Sequence, residues 1–325
     1  MARYLVRRIL GALVILLVVT AVTYFLFFTA PSDPARLSCG SVCTKASYLQ
    51  IKHNMGLDQP VYQQFWQYLS GILVGRDIGA THCSAPCLGY SFYNNKPVFD
   101  TLSGRFPATL SLVCGAVVIF LILGVGAGLI AAARRGSATD KAVSVFALFG
   151  AAMQIYFIGI LARYFLVDQW QWLPQPGYQP FTGGLGSWFG GMILAWLVLA
   201  IVYTASYSRY TRSSMIDALN DDAVRTARAK GLSGRTVFFK YAGRAALTPV
   251  VTIFGLDLGH LLGGAMITET TFNIAGIGQT AVQAVEHQDL PTLVGVTLIA
   301  AFFMVLLGLI VDLVYGLIDP RVRLS

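Results

Sequence analysis

Three groups of residues in this 325-residue chain have types and spacings that could do chemistry. Asp257 and His260 stand three apart, a spacing that puts a carboxylate and an imidazole on one face of a helix. Such a pair can line a path for a polar or charged solute, or it can satisfy itself as a hydrogen-bonded contact between helices. Four cysteines form two Cys-x3-Cys pairs, Cys39/Cys43 and Cys83/Cys87. They can make two disulfides in an oxidising compartment, or offer four thiolates to zinc or an iron–sulfur cluster. The x3 spacing favours disulfides and leaves three connectivities open. Gly124, Gly126 and Gly128 alternate, but a phosphate-binding loop needs a strand before it and a helix after it. No G-x-x-x-x-G-K-[ST], H-E-x-x-H or G-x-S-x-G occurs, so the chain brings no P-loop for ATP and no familiar hydrolase motif.

The elements that must position these groups are membrane helices. Hydrophobic residues make up 56% of the chain and charged ones 12%, far from the roughly 25% charged residues of an ordinary soluble domain. A mean hydropathy of +0.66 says the same. The excess falls into six runs, roughly 9–29, 107–133, 141–167, 188–208, 246–269 and 290–318, each about long enough to cross a hydrocarbon core. The first follows Arg3, Arg7 and Arg8, yet it is too long for a signal-peptide core and lacks a clean A-x-A site, so it reads as a retained span. In this setting the three glycines read as close helix packing, and Cys114 as a small packing residue of the second span.

Charge sets the expected orientation. Of 23 Lys and Arg residues, three precede the first span, three lie in 134–141, eight in 209–245 and two in the tail. The short segments 168–187 and 270–289 contain none, which predicts cytoplasmic termini. The formal charge of +8 therefore reports topology and gives no reason to expect nucleic acid. Residues 30–106 then form a long outer segment holding both cysteine pairs. Within it, Pro60 opens a helix with Val61, Phe65, Leu69 and Ile72 on one face, and Gly75 closes it. Trp66 and Tyr68 suit an interfacial helix.

The basic inner segment 209–245 predicts two short amphipathic helices. Asp221 caps the first, with Ala223, Val224 and Ala227 on its apolar face, and Gly231 ends it. Ser233 caps the second, with Val237, Phe238 and Tyr241 aligned, and Pro249 marks the return to the membrane.

These residues resemble a known family. TARAKGL at 226–232 is similar to the coupling segment of ABC importer permeases, specifically the first permease subunit of dipeptide, oligopeptide and nickel uptake systems. The likeness extends to YLVRRILGALVILLVVTAVTYFLF near the start, GLDQPVYQQFWQYL, RFPATLSL at 105–112, GLDLGHLLGGAMITETTFNIAGIGQ at 255–279 and VDLVYGLIDPRVR at 311–323. It implies an all-α membrane protein of type I importer architecture. The divisions are a cytoplasmic N-terminus and first transmembrane helix over 1–29, the outer segment 30–106, a permease core 107–318 and a tail 319–325. It also implies that Asp222, Arg225, Thr226, Ala227, Arg228, Ala229, Lys230 and Gly231 couple to an ATPase subunit. Arg225-Thr226-Ala227 stand where the general motif has Glu-Ala-Ala, so the acidic first residue is absent here.

The resemblance further implies no catalysis and no cofactor in this chain, with ATP and Mg in partner subunits. The implied partners are a second homologous permease, two ABC ATPase subunits or domains, an extracytoplasmic solute-binding protein and membrane lipid. The location is the cytoplasmic membrane. Peptide is the expected cargo, with nickel complexes, haem or another small solute as alternatives. Glu269 matches the family's TET stretch and is expected to shape an outer gate or carrier-docking surface; Asp257 and His260 are not part of the family's pattern and are pathway candidates by their own spacing alone. A stand-alone secondary transporter would show internal repeats, and none is evident.

Overall fold

The computed structural model describes residues 2–28, 33–39, 43–79 and 81–318. Among the described residues five helices are long and apolar enough to cross a membrane: Val6–Phe28, Val98–Ala133, Leu185–Leu219, Gly234–Leu262 and Leu290–Val314. A helix pair, Ala138–Gly150 and Ile155–Gln169, is bent by 95° at its junction and makes a sixth if the two halves form one span. On the first span Leu10, Leu13, Val14, Leu17 and Val18 are each at least half exposed, as side chains facing lipid would be.

Several boundaries differ from the sequence expectation, among them the fourth span, which runs on to Leu219. The second span begins at Val98, nine residues before the expected start, and carries Pro107 inside the helix. The third expected span is interrupted at Met153 and Gln154, both in extended conformation. Hydropathy runs smoothly across this break and so does not reveal it. The fifth expected span stops at Leu262, and a separate short helix, Met266–Thr271, follows. Gly264 makes this break with φ +128, and a Cβ there would lie 2.8 Å from Gly278 backbone atoms. Gly263-Gly264 is a legible stop signal that the continuous apolar run conceals.

By contacts the chain divides into two compact units. The first comprises Met1–Leu110, Gly259–Thr270 and Ile274–Leu309. Its core gathers Tyr24, Tyr68, Leu88, Val98, Leu102, Ile277 and Val294. The outer-segment helix runs Val61–Val74, between Pro60 and Gly75 as the sequence predicts, but its buried face is Gln64, Tyr68 and Gly71. Val61 is exposed instead, because Gln64 and Tyr68 find partners inside: Tyr24 donates to Gln64 Oε1 at 3.3 Å, and Tyr68 donates to the Leu88 carbonyl at 3.3 Å. Arg76 lies over the Tyr68 ring at 5.3 Å. Burial pushes the Tyr68 phenol above its ordinary range and pulls the Arg76 guanidinium below its own.

Two small antiparallel hairpins follow, which the helical reading did not anticipate: Arg76–Ile78 with Thr81–Cys83, and Tyr90–Ser91 with Lys96–Pro97. The cysteines are joined within each pair, Cys39 to Cys43 and Cys83 to Cys87. Cys83 and Cys87 are fully buried with Ile78 in a small cluster that staples the hairpins. Among the described residues no group of His, Cys, Asp and Glu is arranged to hold a metal ion.

The second unit comprises Ser111–Leu258, Thr271–Asn273 and Ile310–Ser325. Its helices approach through missing side chains. A Cβ on Gly115 would strike the Trp196 indole at 2.1 Å, and one on Gly124 would meet Tyr207 Cβ at 2.8 Å. One on Gly128 would meet Thr211 Cβ at 2.6 Å and the Ser208 carbonyl at 2.7 Å. Gly126, by contrast, faces open space, so two of the three alternating glycines do the packing. Helix rotation carries Cys114 outward, between inward Leu112, Val113 and Ala116; it is an exposed thiol and not the packing residue expected. Lipid gives helices no hydrophobic reason to associate, so close backbone approach carries much of the cohesion. Gly128→Leu should therefore destabilise the protein in detergent by on the order of 2 kcal/mol through overpacking, whereas Gly126→Ala should leave its thermal unfolding unchanged.

Candidate functional site

The long helix Leu185–Leu219 delivers the chain to the basic segment. Asp221 caps the next helix, Asp222–Ala229, by accepting from the Ala223 amide at 2.8 Å. At the other end the Gly231 amide bonds the Arg228 carbonyl at 2.9 Å, and the Leu232 amide bonds the Ala227 carbonyl at 3.3 Å. This pair of bonds is a Schellman closure, and Gly231 supplies the left-handed residue it needs at φ +76. Ser233 then accepts from the Thr236 amide and starts the following helix.

That following helix is not short. It runs continuously as Gly234–Leu262 into the fifth span, through a π-helical turn at Val237–Ala242. Pro249 lies within it. The extra residue in the π turn shifts the packed face, so Val237, Ala242 and Ala246 are buried while Tyr241 is exposed. Val224 and Ala227 pack into the same cluster, with Ala132 and Met215. Ala223, expected on this apolar face, points outward.

The helix is therefore seated on two small apolar side chains and open above. Asp222, Arg225, Thr226, Arg228, Ala229, Lys230 and Gly231 are all exposed, leaving Ala227 as the one residue of the expected set that is buried. Arg225 and Asp222 approach at 3.5 Å, a fully solvated pair worth little. A basic, solvent-open face on a capped helix can dock into a complementary groove and act as a rigid lever.

The seating is braced by an ion pair that sequence reading missed. Arg212 grips Asp140 with two nitrogens, at 2.5 and 2.9 Å, and Asp140 also accepts from the Gly136 amide at 2.9 Å. These partners are 72 residues apart, with no local signal linking them.

The intramembrane candidates separate. Asp257 is half-buried and accepts a hydrogen bond from Tyr207 at 2.9 Å, the interhelical contact that was one of its two readings. His260 is exposed. Glu269 is fully buried, not at an outer surface, and lies on the short helix beyond the Gly263-Gly264 break. Its carboxylate accepts from Thr109 Oγ1 at 2.8 Å and from the Gln279 amide at 2.9 Å. Thr109 in turn accepts from the Ile277 amide at 2.9 Å. Glu269 thus ties the amide end of helix Ile277–Glu286 to the second span.

A multi-pass helical membrane protein with a basic, exposed, rigidly capped helix has the features of a transport permease. Residues 1–114 match the family described as the N-terminal region of the binding-protein-dependent transport system membrane component, and 124–324 match the inner membrane component itself. The chain is 34% identical over 323 residues to a probable peptide ABC transporter permease, y4tP, of Sinorhizobium fredii, covering 99% of this chain and all of that one. It is 35% and 34% identical to the glutathione transport system permease GsiC of Escherichia coli strains CFT073 and K12, covering 99% of each chain.

The chain belongs to the binding-protein-dependent transport system inner membrane component family, as an ABC importer permease. It is a multi-pass protein of the inner membrane and carries out no catalysis; ATP hydrolysis lies in partner subunits, and the importer also works with a substrate-binding partner. The family's dependence on a binding protein sets aside a stand-alone secondary transporter.

Val224→Asp should unseat helix Asp222–Ala229, since an unpaired buried charge costs about 3 kcal/mol or more. Limited trypsin digestion should then cut at Arg225 or Arg228 much faster than in wild type. Ala223→Asp, on the exposed face, should digest at the wild-type rate.

Proposed function

We propose that this chain forms half of a translocation path for peptides, energised through helix Asp222–Ala229 by an ABC ATPase. The observation that carries the reading is the geometry of that helix: an exposed basic face on a short, doubly capped element seated on Val224 and Ala227. Such an element transmits force without bending. Closure of two ATPase subunits with bound ATP and Mg would push the helix, and the continuous Gly234–Leu262 helix would carry the displacement into the membrane.

In this reading the termini and the basic segments 134–141 and 209–245 face the cytoplasm, following the Lys and Arg distribution. The cysteine-bearing segment faces the opposite, oxidising side, where its two disulfides are stable. A second, homologous permease supplies the other half of the path, and a solute-binding protein delivers cargo from outside. Peptide is the cargo class because the relatives are named for peptide and glutathione transport, and glutathione is a tripeptide. Asp257 contributes to helix packing through Tyr207, and His260 is the member of that pair left open to a passing solute.

Gly231 is the position that separates this mechanism from a passive basic loop. Its φ of +76 costs an L-residue roughly 1–2 kcal/mol, and more if β-branched. In liposomes holding the full complex, Gly231→Val should cut ATP-dependent peptide uptake about tenfold or more while the protein stays folded, a loss of about 1.4 kcal/mol or more of coupling. Gly231→Asn, which tolerates the left-handed region, should retain most of it. Wild-type uptake by the valine variant would refute the lever.

A further inference from the structure

Helix Ile277–Glu286, the start of the last span and the tip of the second hairpin enclose a polar cavity of about 230 Å³. It is bordered by Tyr93, Asn94, Thr280, Gln283, His287 and Asp289. Tyr93 stacks on His287 with ring centroids 4.1 Å apart, and its hydroxyl lies 3.1 Å from Nε2. Asn95 and Gln288, next to two of the lining residues, both take left-handed φ values, 53° and 55°.

Asp289 sets the character of the cavity. It is 3% exposed, yet it faces no Lys, Arg or His within ion-pair distance among the described residues. Ser91 Oγ donates to its Oδ2 at 2.5 Å and Thr292 Oγ1 donates to the same oxygen at 2.7 Å. No protein donor reaches Oδ1 among the described residues, and Asp289 borders the cavity. The N-terminus of the helix beginning at Leu290 eases the burial of this charge but brings no neutralising cation. A carboxylate buried to this degree is expected to have a cationic partner.

We infer that this cavity is an ammonium-recognition site, receiving the α-ammonium of a peptide on Asp289 Oδ1. An ammonium group offers three donors and forms a strong charge-assisted bond to a carboxylate. The side-chain amides of Asn94 and Gln283 each carry a donor and an acceptor, the complement of a peptide backbone. The site lies on 270–289 and the cysteine-bearing segment, the side that the charge distribution turns outward, where cargo arrives. The inference rests on the peptide reading above. The same ammonium chemistry could come from a lysine of the solute-binding protein, and the test separates the two sources.

The complete importer in liposomes would be supplied with one peptide in two forms, with a free and an acetylated N-terminus. Wild type should favour the free form. Asp289→Asn preserves an acceptor for Ser91 and Thr292, so it should lower uptake of the free peptide by about tenfold or more and leave the acetylated form unchanged. Gln283→Arg, an exposed position outside the buried hydroxyl network, should lower uptake of the free peptide more steeply than that of the acetylated one, since it places a cation at the cavity as well as removing a backbone-binding amide. Affinity of the cargo-free binding protein for the permease should stay constant in both variants.

Equal losses for both peptides, or no loss in either variant, would overturn the site. A selective fall in binding-protein affinity would assign the ammonium to that protein and overturn the cargo role. If the wild-type importer moves neither peptide, the peptide reading itself fails, and this inference falls with it; import without discrimination leaves the peptide reading standing and removes only the site.

Discussion

Within a hydrocarbon core no water is present to bond an unpaired polar group, and apolar surface gains nothing by leaving lipid for protein. Most of this structure follows from that constraint. The backbone closes on itself in helices, and the helices find each other by close approach at Gly115, Gly124 and Gly128 and through a few buried polar contacts. Thr109, Glu269 and the amides of Ile277 and Gln279 form the most complete of these contacts. There a carboxylate, a hydroxyl and a helix N-terminus satisfy one another where none could be left alone. Where the helix breaks, as at Gly263-Gly264, such groups must cover the freed backbone.

The basic segment obeys the opposite logic, because it lies in water. Its apolar requirement is small, met by Val224 and Ala227 beneath an eight-residue helix. Its stiffness comes from capping: Asp221 at one end, the Schellman closure at the other, and Ser233 immediately restarting the chain. Arg212 and Asp140 brace the ground on which it stands. Arg225 and Arg228 of this helix, and Lys230 at its C-cap, stay exposed to solvent. The eight-residue motif divides accordingly into a buried Ala227 and exposed neighbours.

The outer segment is stabilised differently again. Among the described residues it has three helices, two very short hairpins and a small buried cluster of its own, too little apolar area to be secure alone. The Cys83–Cys87 bridge is embedded in that cluster, while the Cys39–Cys43 bridge follows the helix Pro34–Ser38. Its second hairpin contributes Ser91, Tyr93 and Asn94 to the cavity around Asp289, so the segment supplies one wall of a polar site as well as cover.

The sequence by itself determined the class of protein, the approximate spans, the positions of Pro60, Gly75, Asp221, Gly231 and Ser233 as helix punctuation, and the location of the basic segment. These are local properties: hydropathy, capping and left-handed φ depend on a residue and its near neighbours. Tertiary structure alone decided that the third crossing is broken, that each cysteine pairs within its own motif, and that Cys114 and Tyr241 face outward. It also decided that Glu269 is buried, that Asp257 meets Tyr207, and that Asp289 faces a cavity. The outward turn of Cys114 and Tyr241 depends on helix rotation, and the settings of Asp257, Glu269 and Asp289 depend on partners 50 to 198 residues away, such as Tyr207 for Asp257 and Ser91 for Asp289. A pattern read along one dimension carries no information on either. The π turn at Val237–Ala242 shows the limit most directly, since a single extra residue per turn re-aims a face that 3.6-residue periodicity had placed on Tyr241.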